Sequence, residues 1–105
     1  MEAKQTHTLQ EAHEYFGKTL TGKVRELLER PDRTRTDNEM MVYASHASLY
    51  RWLQVGTGLH HQRGEWLIAC VFTVIGVAGP ALRHAERCLE STKEFASTMR
   101  DSDRA

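Results

Sequence analysis

Apolar positions recur at three- and four-residue steps along most of this chain, and nowhere do they alternate with the two-residue period of a half-buried strand. From Thr8 onward, Leu9, Ala12, Phe16, Leu20, Val24, Leu27 and Leu28 form one helical stripe. Gly17 and Gly22 interrupt it, each costing about 1 kcal/mol relative to alanine, and mark either a close helix approach or a kink. Pro31 ends the element, because its ring disfavours helical geometry in the residue before it. A first helix is therefore predicted over residues 8–30.

Pro31 to Asp37 is a polar linker in which Arg30, Arg33 and Arg35 mingle with Asp32 and Asp37, the pattern of a solvated loop. Thr36 followed by Glu39 has the spacing of a capping box and predicts a second helix over 36–55. Its small residues Ala44, Ala47 and Ser48 would let a neighbour approach, and Gly56 is expected to take the left-handed position that closes it. Thr57 then caps a third helix over 59–76. This helix begins polar (His60, His61, Gln62, Arg63, Glu65) and becomes apolar on every side, so it should be central. Gly76, Gly79 and Pro80 make a turn, with Pro80 suited to the first position of a fourth helix over 80–100. There Leu82, Ala85, Leu89, Thr92, Ala96 and Met99 share a stripe, while Arg83, Glu86, Arg87, Glu90, Lys93 and Glu94 face outward. Residues 1–7 and 101–105 should fray. The expected fold is all-α, four helices in two antiparallel pairs within a single domain over 1–105, organised around the Arg63–Glu90 hairpin.

Composition narrows this picture. With 105 residues there is room for one small domain, and 40% hydrophobic content is enough to give it a core. Fourteen basic and fourteen acidic residues cancel, which removes the broad positive footprint of a nucleic-acid binder. Glu86, Glu90 and Glu94 beside Arg83 and Arg87 would likewise set a helix-turn-helix against the phosphates. The longest apolar run, Trp66 to Leu82, is broken by Thr73, Gly76, Gly79 and Pro80, so no membrane span is expected. Cys70 and Cys88 both sit inside apolar helical patterns and read as small core residues of a cytoplasmic protein rather than a disulfide framework.

Residues 65–93 resemble a tetratricopeptide repeat. Ile68, Ala69 and Phe72 match its large–small–aromatic spacing, Gly76 its turn, and Ala81 and Cys88 its small second-helix positions. Glu65 stands where a tryptophan is usual, Ala85 replaces an aromatic and Lys93 the closing proline. A longer stretch, from His46-Ala47-Ser48-Leu49-Tyr50-Arg51-Trp52 through Val55-Gly56-Thr57 to Arg63-Gly64-Glu65-Trp66, is similar to small tetratricopeptide-like bacterial helical proteins without an assigned activity. The resemblance implies helical-hairpin stacking, a habit of partner binding and no catalytic residue. It also implies that the last apolar stripe seeks a partner, most simply a second copy of the chain.

Two functions of different kind follow. The first is a non-enzymatic interaction module that binds a protein or peptide through Tyr43, Tyr50 and Trp52, with Arg63 and Glu65 at the rim, and that forms homo-oligomers. The second rests on the six histidines: His46, His61 and Glu65, with His60 or His84 completing the set, would suit zinc or another transition metal in a binding protein or metal-dependent enzyme. The letters match no established zinc motif. Nor do they form a nucleophile elbow, and Gly56-x-Gly58 lies between helices rather than after a strand, as a phosphate cradle requires. The junction His60–Glu65 beside Gly56 is where either function would be sought.

Overall fold

Short linkers between long amphipathic segments force the chain to fold back on itself, and a computed structural model describing residues 8–104 has that form. Four helices follow one another: α1 (Leu9–Glu29), α2 (Arg35–Val55), α3 (Gly58–Val74) and α4 (Ala78–Arg104). Antiparallel pairs α1–α2 and α3–α4 pack closely, α2 also packs on α3, and the described residues contain no strand. The expected fraying of residues 1–7 lies outside the described residues.

Each terminus has a local cause. Thr8 and Glu11 close a reciprocal capping box at the start of α1, with bonds of 2.8 and 3.0 Å between each backbone amide and the other's side chain. Helix α2 starts earlier than expected, because the box is made by Thr34 and Asp37 rather than Thr36 and Glu39. The overlapping run Thr-Arg-Thr-Asp offers two registers, and the earlier one adds another half-turn of helix. Gly56 does not adopt the left-handed conformation expected of it; its φ of −83° and ψ of 177° are extended. Its small size is what matters, since an added Cβ would lie 2.6 Å from the Trp52 carbonyl oxygen. The left-handed glycine is Gly76, at φ +83°. There the Val77 amide reaches the Phe72 carbonyl at 2.9 Å and the Gly76 amide reaches Thr73 at 3.1 Å, a Schellman closure that ends α3 two residues short of its expected bound. Helix α4 begins at Ala78, placing Pro80 third rather than first, still within the turn whose amides need no helical partner. At its far end α4 continues to Arg104 instead of fraying after residue 100.

A shared core draws Val24 and Leu27 from α1, Met41 and Ala44 from α2, and Leu67 and Val71 from α3. Full burial of such a side chain stabilises by about 1.5–3 kcal/mol. Leu67, Ile68, Ala69 and Val71 are all buried, so α3 is covered on more than one side, as its apolar second half predicts. The radius of gyration, 16.0 Å, exceeds the roughly 13 Å of a compact domain this size. The extents of 51 × 49 × 19 Å describe a thin slab rather than a closed bundle. A slab of this kind leaves helix faces open.

Two of those faces differ from expectation. On α1 the buried positions are His13, Gly17, Val24 and Leu27, while Leu9 and Phe16 are exposed. On α4, His84 and Cys88 point inward, while Leu82 and Leu89 are 62% and 54% exposed. Ala47 is exposed too, and Ser45 joins Ala44 and Ser48 on the buried side of α2.

Candidate functional site

A groove of about 630 Å³ lies between α1 and α3, floored by α2, within the size range of ligand sites. Helix α1 presents Lys18, Thr21, Gly22 and Arg25, which recur at helical spacing on one face. Helix α3 presents His60, Gln62, Arg63, Gly64, Trp66 and Leu67, and Trp52 of α2 closes the floor.

Trp52 is set into this floor by a polar relay at the α1–α2 contact. The Ser48 hydroxyl donates to the Gly17 carbonyl at 3.2 Å, so the 2.6 Å bond between Thr21 and Ser48 must be donated by Thr21. The indole Nε1–H of Trp52 donates in turn to the Thr21 hydroxyl at 3.5 Å. The buried Ser48 hydroxyl and the Trp52 indole N–H are thereby both matched. On its other side the indole stacks on His60, with ring centroids 4.3 Å apart and planes 12° from parallel. The His60 ring is held by its Nδ1, which accepts the Thr57 amide at 3.0 Å. Trp66, by contrast, is 58% exposed and forms an unfilled apolar wall.

The sequence-designated residues divide among three places. Trp52 and Arg63 line the groove, Trp52 as a 9%-exposed floor and Arg63 as an exposed rim. Tyr43 and Tyr50 are exposed but outside it; Tyr50 meets His13 edge-on at a centroid distance of 6.2 Å. Glu65 turns instead toward α4, where its Oε1 accepts the Nδ1–H of His84 at 2.7 Å. That pair is largely buried, with Phe72 stacked on the imidazole and His46 edge-on to it at 5.6 Å. The expected partner surface is therefore not one continuous face.

His46, His61 and Glu65 do not converge either. His46 Nδ1–H donates to the Val42 carbonyl at 2.8 Å within its own helix. His61 Nε2–H donates to the Trp52 carbonyl at 3.1 Å and helps close the end of α2. Among the described residues no three His, Cys, Asp or Glu side chains are grouped to hold a metal ion. Burial pushes the Cys70 thiol above its ordinary pKa, with a smaller push from Cys88, which mutes it as a nucleophile.

Lys18, Gly22 and Arg25, unlike Trp66, are not candidates for a site in the sequence. The first three repeat at positions i, i+4 and i+7, a signal visible in the letters but hidden beneath the stronger apolar stripe of the same helix. No described helix is long and apolar enough to cross a membrane. No protein-family model matches the chain, and comparison with curated protein sequences and with solved structures yields no match.

Proposed function

We propose that this chain is a non-enzymatic, tetratricopeptide-like interaction module of the cytoplasm that receives a segment of a protein partner in the α1–α3 groove and also self-associates. The groove carries this reading. It pairs a rigid indole floor with an exposed indole wall and a polar rim, the anatomy by which grooves take apolar anchors. Exposed Leu82 and Leu89 on α4 support the self-association half. The zinc reading draws no support from the grouping of the side chains: His46 and Glu65 both meet His84, but His61 is bonded to the Trp52 carbonyl, and among the described residues no three possible ligands are grouped to hold a metal ion.

Gly22 provides a clean test. It lines the groove, and a Cβ added there meets nothing within 4 Å, so a large side chain enters the groove without disturbing the fold. With the photo-crosslinker p-benzoylphenylalanine in place of Gly22, irradiation in cells should give a discrete protein adduct whose site is identified by mass spectrometry. The same probe in place of exposed Tyr43, outside the groove, should give markedly less. Equal adducts at both positions, or none at Gly22, would count against groove binding.

A further inference from the structure

We infer that the occupant of the α1–α3 groove is an acidic peptide segment that buries a large apolar side chain between Trp52 and Trp66, an inference that rests on the groove reading above. It comes from which positive charges in the first three helices are spoken for. Lys23 pairs with Glu26, Arg30 with Asp37, and Arg35 with Glu39. Arg33 donates to Asn38 and to the Leu28 and Arg30 carbonyls. Arg51 donates to His13 and lies over the Phe16 ring at 4.9 Å. The cations of α1–α3 left without an ion pair or hydrogen bond among the described residues are Lys18, Arg25 and Arg63. All three line the groove, and no carboxylate lines it with them.

A chain with fourteen acidic and fourteen basic residues has enough carboxylates to pair every cation, so this unpaired charge is a local arrangement and not a surplus. Clustered in a cleft with low-dielectric walls, like charges repel one another and focus a field that draws an anionic partner. The apolar floor between them adds a demand for shape. Trp52 is held by its bond to Thr21 and by stacking on His60, and Trp66 has no comparable cover. A peptide with carboxylates flanking a Leu or Phe satisfies both requirements at once. A nucleic-acid strand satisfies them less well: it needs a continuous basic track, and beyond this groove the cations of α1–α3 are already engaged.

The two tryptophans of the chain both line the groove, so intrinsic fluorescence reports its occupancy directly. The probe is a blocked hexapeptide, Asp-Glu-Leu-Phe-Asp-Glu, compared with its Asn/Gln analogue, its Lys analogue and a single-stranded oligothymidylate of equal charge. The acidic peptide should give a saturable emission change and bind at least about tenfold more tightly than the Asn/Gln analogue, with a preference that shrinks as salt rises. Replacing the exposed pair, Arg25→Glu with Arg63→Glu, should invert the preference toward the Lys analogue, a gain that a misfolded variant cannot produce. Equal binding of acidic and amide peptides would overturn the acidic assignment while leaving a groove that takes apolar segments. Tighter binding of the oligonucleotide would overturn it in favour of nucleic acid. Failure of every peptide to perturb the tryptophans would remove the groove reading along with it.

Discussion

A Cβ placed on Gly17 would lie 2.7 Å from Cε2 of Trp52, closer than two carbons can approach. The missing side chain is what lets α1 and α2 meet over the indole, and the indole is a wall of packed ring rather than a flexible tip. Gly17→Ala should therefore destabilise by about 1–3 kcal/mol of overpacking, offset only in part by the 0.5–1 kcal/mol that alanine gains over glycine in a helix. Gly22→Ala, five residues on and facing open space, should keep that gain and raise the melting temperature. Urea titration of the two variants checks the opposite signs.

The Glu65–His84 bond ties α4 to α3 from positions that are only 14% and 10% exposed at their side chains. A carboxylate can only accept, so Nδ1 must carry the shared proton. Glu65→Ala and His84→Ala should each cost about 1–3 kcal/mol by leaving the other group unsatisfied. Their double variant should fall short of the sum by about 1 kcal/mol or more. Glu65→Gln retains an acceptor oxygen and should be milder. Chemical denaturation of the four variants closes the cycle; strict additivity would show that the bond contributes nothing.

The same pair shows where sequence reading reaches and where it stops. Helix number, pairing and the central place of α3 follow from apolar spacing, because burying a stripe is the largest favourable contribution each helix has available. Which face is buried follows less well. The apolar stripe read along α4 leaves His84 out, yet its bond with Glu65 allows it to be buried while Leu82 and Leu89 turn outward. On α1 the indole of Trp52 selects Gly17 for the contact and rotates Phe16 toward Arg51. These are pairwise fits between helices, and a single-helix period carries no record of the partner. Trp52 and Arg63, which the sequence places on either side of the Gly56 turn, do line the groove. Lys18 and Arg25 are not legible as site residues, because they come to the groove only through folding.

Asp37 predicts how the start of α2 responds to acid. The Thr34 backbone amide, donating at 3.1 Å, holds the carboxyl below its ordinary pKa; desolvation opposes it, and the Thr34 side chain and the charges of Arg30 and Lys23 add smaller pulls downward. The unfolded carboxyl binds its proton near pH 3.9, about the value of a free aspartate, and the folded one only at lower pH. The stabilisation is thus fully present above about pH 4 and is lost as pH falls through the folded value. In Asp37→Ala the melting temperature should lie below wild type near neutrality, and the two curves should converge in acid. Circular dichroism melts across that range decide it; a gap independent of pH would assign the loss to something other than the carboxylate.

Leu82 and Leu89 stand seven residues apart, two helical turns on one face of α4, and both are more exposed than packed. Solvent-facing leucines contribute little to the fold, so Leu82→Glu with Leu89→Glu should change unfolding free energy by no more than about 0.5 kcal/mol per site. Buried against a second copy, however, each leucine would be worth about 1.5–3 kcal/mol, and opposed glutamates would add repulsion. The double variant should therefore melt like wild type yet dissociate at concentrations at least about a hundredfold higher, a shift that sedimentation equilibrium reads directly. A wild-type chain that stays monomeric at high concentration would remove self-association, and a double variant that unfolds would show that α4 buries this face within its own chain.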